Sequence, residues 1–260
     1  MDYATLEDGC RIAWRMDGPE GAPVLILAHA LGASLDMWEP QVEALQGRLR
    51  LLRYDARGHG GSDVPPGPYS IERLGRDTLG LMDALGIEKA SFCGISMGGF
   101  VGQWLGVNAP ERLEKLILAN TCAYMGPPEN WLSRIEAVTT QGVAALAEAT
   151  LGRWFTPAFH ERAPETVESI RRLLLATNPQ GYAGCAAAIA EMDLRDILPG
   201  ITAPTLVIGG SKDSSTPLDC AEMLYAEIAD SRLEVLPSAH LSNVEDAAAF
   251  NSLLLAFLGE

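Results

Sequence analysis

Long apolar runs are missing from this 260-residue sequence, and no stretch reaches the length a bilayer-spanning helix needs. A helical membrane protein is therefore excluded. Positive charge is scarce: 19 Lys and Arg stand against 34 Asp and Glu, a formal net charge of −15. No basic cluster interrupts that excess, so the field repels polyanions and nucleic acid is not an expected partner. Cysteine is sparse too. Cys10, Cys93, Cys122, Cys185 and Cys220 are scattered, odd in number and without paired metal-ligand spacing, which reads as free thiols in a reducing compartment and as no metal site. The opening residues, Met1 to Asp8, have neither a basic nor an apolar signal region. A cytoplasmic protein without metal or cofactor is the expectation, and internal repeats and low-complexity tracts are absent.

What is present is an ordinary globular composition, 48% hydrophobic and 20% charged. Two short strands, Tyr3 to Leu6 and Arg11 to Met16, flank the acidic turn Glu7-Asp8-Gly9 and predict an antiparallel edge. From Val24 to Ala28 the pattern becomes continuously apolar, the mark of a strand buried on both faces. Similar runs recur at Leu49 to Tyr54, Ala90 to Cys93, Leu116 to Ala119, Thr205 to Ile208 and Leu233 to Leu236. Helical stripes lie between most of them, such as Ile71, Leu74, Thr78, Leu81, Met82 and Leu85, then Val101, Trp104, Leu105 and Asn108. This alternation predicts an α/β fold: a mostly parallel sheet flanked by helices. Residues 123–196 break the rhythm with stripes such as Leu132, Ile135, Val138 and Val143, Leu146, Ala147. They are read as an inserted helical cap on a core of residues 1–122 and 197–260, the alternative being extra packing helices.

Gly94-Ile95-Ser96-Met97-Gly98-Gly99 follows an apolar strand and precedes a helical stripe, the context of a nucleophile elbow. A serine on so sharp a turn needs small neighbours two residues away, and its helix-start position favours negative charge. Ser96 is the expected nucleophile, with the alternative of a glycine-rich connection alone. The Met97 N–H is the expected first oxyanion donor. The loop His29-Ala30-Leu31-Gly32 after the first buried strand offers the second, at the Leu31 N–H. A hydroxyl needs a base to take its proton. Among four histidines, His240 alone follows the terminal apolar strand. Asp213, beyond the run Thr205 to Ile208, is the expected orienting acid, with Asp193 and Asp196 as the other candidates. The chain order, nucleophile then acid then base, fits. His29 and His59 read as structural loop residues and His160 as solvated.

With those residues in place the chain resembles the α/β-hydrolase superfamily over nearly its whole length. The resemblance rests on His29-Ala30-Leu31-Gly32, Arg53 to Gly60, Gly94 to Gly99, Gly209 to Asp213 and His240, with Ala30 departing from the glycine many members carry. At finer grain it is similar to the 3-oxoadipate enol-lactonases in Trp154-Phe155-Thr156-Pro157, Asn178 to Tyr182, Met192-Asp193-Leu194 and Ala239 to Glu245. That resemblance implies an α/β-hydrolase fold and a serine hydrolase opening a small anionic lactone through an acyl-enzyme. It implies no cofactor and no membrane or nucleic-acid partner. The substrate's carboxylate would need a cation in so acidic a protein; Arg134 is the candidate, beside Trp131 as an apolar wall, the alternative being a solvated helix arginine. Trp154, Phe155 and Met192 are expected in the cap's core. A broad esterase or cofactor-free perhydrolase, and a ligand-sensing receptor of the same fold, are the rival readings.

Overall fold

The computed structural model describes residues 1–259. Its strands are β1 (Asp2–Thr5), β2 (Arg11–Asp17), β3 (Val24–Ala28), β4 (Arg50–Tyr54), β5 (Ala90–Ile95), β6 (Leu113–Ala119), β7 (Thr205–Gly210) and β8 (Ser231–Leu236). They form one eight-stranded sheet in the order β1-β2-β4-β3-β5-β6-β7-β8. The β1–β2 hairpin is antiparallel and joins antiparallel to β4, while all pairings from β4 to β8 are parallel. The expected acidic turn closes the hairpin, with Gly9 at φ 81°. The continuous apolar runs are the central strands: every residue of β5 and of β7 is buried. By contrast β8 is an edge strand buried only at Leu236. Its ladder with β7 extends back through Arg232 to Ser231, because backbone pairing continues where the apolar run stops.

Three α-helices lie between β3 and β6: α1 (Glu39–Leu45), α2 (Ile71–Ala84) and α3 (Met97–Asn108). In α2 the stripe Ile71, Leu74, Thr78, Leu81 and Met82 is buried as its period requires, with Ser70 capping the Arg73 N–H at 3.1 Å. The single stripe expected on α3 is too narrow. That helix is buried almost all round and Asn108 is exposed, since glycines on several sides let neighbouring elements approach closely.

Between β6 and β7 no strand joins the sheet. The chain instead forms α4 (Glu129–Gln141), α5 (Ala147–Trp154), α6 (Pro157–Arg162), α7 (Pro164–Ala176) and α8 (Pro179–Glu191). The two ends of this segment meet, Tyr124 bridging to Asp193 and the Leu194 N–H donating to the Ala123 carbonyl at 2.8 Å. Helix α8 rests on the loop after β4 at a glycine pair. A Cβ on Gly181 would lie 2.0 Å from the Gly58 carbonyl oxygen. Of the expected α4 stripe, Ile135 and Val138 turn inward, but Leu132 is exposed and Trp131 takes its place. The inward residues follow the i, i+4, i+7 spacing of one helix face. Helices α9 (Leu218–Glu227), α10 (Ser242–Glu245) and α11 (Ala247–Leu258) complete the chain.

The expectation of five free thiols is corrected. Cys122, just past β6, and Cys220, in the first turn of α9, form a disulfide across a sequence separation of 98. The pairing of β6 with β7 brings the two ends together, which their spacing in the sequence conceals. Cys10, Cys93 and Cys185 are free and buried. No helix among the described residues is long and apolar enough to cross a membrane.

Candidate active site

Ser96 sits between the end of β5 and the start of α3 at φ 54° and ψ −114°, a backbone conformation that costs free energy and is held by its surroundings. The flanking glycines are sterically required. A Cβ at Gly94 would lie 2.1 Å from the Gly98 carbonyl oxygen, and one at Gly98 would lie 2.2 Å from that of Ala28. The turn is fixed from β6 as well: the Ser96 N–H donates to the Ala119 carbonyl at 3.0 Å, and the Thr121 hydroxyl donates to the Ser96 carbonyl at 2.9 Å.

The loop beyond β7 carries Asp213 and the loop beyond β8 carries His240, so parallel strands deliver both side chains to the same end of the sheet. His240 Nδ1 donates to Asp213 Oδ2 at 2.8 Å. The carboxylate also accepts the Ser215 N–H at 2.8 Å, the Thr216 N–H at 3.0 Å, the Thr216 hydroxyl at 2.7 Å and Asn120 Nδ2 at 3.0 Å. Burial acts to raise the carboxyl's pKa. The His240 charge and these hydrogen bonds outweigh it and hold the group at about 2. An ionised Asp213 then fixes the tautomer in which His240 Nε2 is free to accept a proton. Asp193 pairs instead with Arg195 on the exposed surface, and Asp196 lies in the first turn of the short helix that Arg195 begins.

The loop beyond β3 is braced by buried neutral imidazoles. His29 Nε2 accepts the Ala56 N–H and His59 Nε2 accepts the Gly32 N–H, each at 2.9 Å. Burial pushes both histidines below their usual range, His59 to about 3, so their structural reading stands. His160 is only partly buried, with Nε2 3.2 Å from the Leu151 carbonyl, and is therefore not the freely solvated group expected. With the Gly32 N–H engaged, the neighbouring Leu31 N–H has no acceptor among the described residues, nor does the Met97 N–H at the start of α3. Ala30 lies outside the left-handed region, so the absent glycine imposes no strain there.

A narrow cavity joins these parts. Ser96, His240, Leu31, Trp131 and Arg134 all line it. Met97 is not among its lining residues; it is buried and lines a separate cavity with His29, Tyr54 and Leu74. The Arg134 guanidinium stacks on the Trp131 ring at 5.0 Å. The lining residues outside the sequence-derived set include Arg153, Tyr182 and Ser215. Trp154, expected in the core, also reaches the cavity, whereas Phe155 stacks on Phe159 at 5.0 Å and Met192 is simply buried. Behind the site, Asn120 and Thr216 orient Asp213, and Glu245 accepts the Ala239 N–H at 2.9 Å. No local motif marks these supporting residues.

A serine and a histidine–carboxylate pair on one cavity, beside two unengaged amides, can carry out acyl transfer. Comparison with known proteins agrees with the architecture. The family profile for the alpha/beta hydrolase fold matches residues 23–247. The chain is 43% identical to 3-oxoadipate enol-lactonase 2 of Acinetobacter baylyi, over 93% of this chain and 90% of that protein. The enol-lactonase structure from Burkholderia xenovorans LB400 superposes with a TM-score of 0.97 at 44% identity, covering 100% of both chains. A thermophilic esterase from Thermogutta terrifontis, solved with malate bound, gives a TM-score of 0.92 at 31% identity over 99% of this chain and 97% of its own. This chain belongs to the alpha/beta hydrolase fold family.

Proposed function

We propose that this chain is a serine hydrolase that opens 3-oxoadipate enol-lactone to 3-oxoadipate. Ser96 is the nucleophile, His240 the base, Asp213 its orienting acid, and the Leu31 and Met97 amides the oxyanion donors. Residues 123–196 act as the cap over a core of 1–122 and 197–260. The observation that carries the substrate reading is the likeness to enol-lactonases at 43% and 44% identity, which runs through the cap as well as the sheet. The cavity chemistry supports it, because Arg134 and Trp131 line the same space as Ser96. A malate-bound relative on this fold is consistent with an anion-accepting pocket.

In this mechanism His240 takes the Ser96 proton as Oγ attacks the lactone carbonyl. The two amides hold the oxyanion, and collapse breaks the ring carbon–oxygen bond. The departing oxygen is that of an enolate, which stays tethered through the carbon chain and becomes a ketone when it takes the proton from His240. Water then loses a proton to His240 and attacks the acyl ester, releasing the carboxylate and returning the proton to Ser96. An enolate leaves more readily than an alkoxide, so positioning and oxyanion stabilisation carry most of the burden. Three of the five cysteines are free, and on that majority we place the enzyme in the cytoplasm against the Cys122–Cys220 bridge, a location that cell fractionation checks.

The decisive assay sets the enol lactone beside a neutral aryl ester under steady-state conditions. A kcat/KM for the lactone at least about 100-fold higher is expected from one added charge-assisted contact plus ring specificity. Equal values would replace the lactonase reading with that of a general esterase.

A further inference from the structure

Arg153 is a charged cavity residue that the proposed mechanism leaves unused. It stands in the last turn of α5, half-buried, and lines the cavity with Ser96, His240 and Arg134. Among the described residues no carboxylate pairs with it; its one hydrogen bond is a long one, 3.4 Å, to the Thr150 hydroxyl. No Asp or Glu lines the cavity. Burial and the nearby Arg134 both act against its charge, and the buried Tyr182 lies within the field of both guanidinium groups. Elsewhere in this chain buried arginines are neutralised in place, Arg57 by Asp77 and Asp8 and Arg53 by Asp17 and Glu39. A half-buried cation without a counterion, in a chain of net charge −15, is a site waiting for an anion.

The backbone ties this cation to the chemistry. Trp154, the next residue, accepts the Leu241 N–H at 3.1 Å, and Leu241 follows His240. Thr156 then bonds Glu245, which also holds the Ala239 N–H. The last turn of α5 and the His240 loop thus form one hydrogen-bonded unit, which ties the backbone beside Arg153 to that of the loop carrying the imidazole. Arg134 has no such tie and rests on the Trp131 ring.

We propose that Arg153 is the specificity-determining residue of this site, binding the carboxylate remote from the scissile carbonyl, with Arg134 as the weaker second cation. This rests on the hydrolase reading above and deepens it. Because the leaving enolate remains tethered to the acyl group, the same contact holds the far end of the chain through ring opening and through hydrolysis of the acyl-enzyme. The ligand class is a short ester or lactone ending in a carboxylate.

The experiment measures inhibition of neutral aryl-ester hydrolysis by adipate, a six-carbon dicarboxylate, so its readout does not need the lactone. Arg153→Met should raise the adipate Ki roughly 10- to 100-fold, the range for one charge-assisted contact. Arg153→Lys should recover part of that loss, Arg134→Met should raise Ki less than Arg153→Met, and Arg172→Met on the exposed face of α7 should leave Ki at the wild-type value. Fluorophosphonate labelling of each variant establishes that it is folded, and Arg153→Lys carries the test if the methionine variant is not. On the lactone, the Arg153 variants should lose affinity in KM more than turnover in kcat. An adipate Ki unchanged in the Arg153 variants, or raised equally by Arg172→Met, overturns the proposal while leaving lactone turnover by the wild type intact. The converse result, adipate binding through Arg153 in an enzyme that does not prefer the lactone, retains this anion site and removes the lactonase reading.

Discussion

Burial alone would make the Asp213 carboxyl a weaker acid, yet its partners carry the balance the other way, to about 2. A folded-state value below the unfolded one means that the ionised group stabilises the fold above the unfolded pKa and loses that contribution as pH falls through the folded value. Between pH 5 and pH 2 the wild type should therefore lose about 2 kcal/mol of unfolding free energy that Asp213→Asn does not lose. Urea titrations of both proteins across that interval check the difference, and parallel curves would remove the carboxylate's stabilising role. For catalysis the same substitution should lower kcat about 10⁴-fold by misorienting the imidazole, and Ser96→Ala should abolish fluorophosphonate labelling. Esterase kinetics and labelling with retained thermal unfolding test both. These residues were legible because each belongs to a local signal: Ser96 to its glycines, Asp213 and His240 to the loops after apolar strands. Arg153 carried a fainter mark. Arg76 has Glu72 and Arg73 has Asp77 at helical spacing, whereas no acid stands three or four residues from Arg153. In an acidic chain a helix arginine without such a partner is a candidate ligand for something else.

At the level of elements, the short segment joining α5 to α6 and the loop after β8 depend on one buried carboxylate. Glu245 accepts the Ala239 N–H, the Thr156 N–H and the Thr156 hydroxyl, while its own carbonyl takes Arg162. Glu245→Leu would leave three donors without an acceptor, each costing about 1 kcal/mol or more. A loss of about 3 kcal/mol in denaturant unfolding is expected, with Glu245→Gln losing less because it keeps one acceptor oxygen; equal loss in the two variants would mean that the carboxylate charge or its second acceptor oxygen, rather than any single hydrogen bond, holds the three donors. No residue pattern announces this role, because Thr156 and Glu245 are 89 positions apart. The strands show the opposite case. Central strands announce themselves by unbroken apolar runs, but the polar starts of β6 and β8 do not, since there the ladder is held by backbone groups common to all residues. One position of the α4 stripe was misassigned for a related reason: Leu132 and Trp131 are both apolar, and only contact with α8 decides which faces inward. Fold-dependent proximity also hides the Cys122–Cys220 disulfide. Thiol titration of unfolded protein should find three reactive groups without reductant and five with it, and five in both states would remove the bridge.

Considered as a whole, the molecule sets a repelling field against its proposed anionic substrate and a local attraction inside the cavity. The two differ in how salt reaches them. Charges spread over the surface act through solvent and are screened within a Debye length, about 10 Å at 0.1 M salt, whereas Arg153 is half-buried and screened less. Adding salt should therefore weaken the long-range repulsion from a net charge of −15 more than it weakens the final contact. From 10 to 200 mM sodium chloride, kcat/KM for a carboxylated lactone is expected to rise about twofold, while that for a neutral aryl ester stays level. Stopped-flow or initial-rate measurements at matched pH separate the terms: the rise should appear in association and survive Arg172→Met. A fall in the lactone rate with salt would mean that the arginine pair attracts the substrate from beyond the cavity mouth, and that the acidic surface has little influence on its approach.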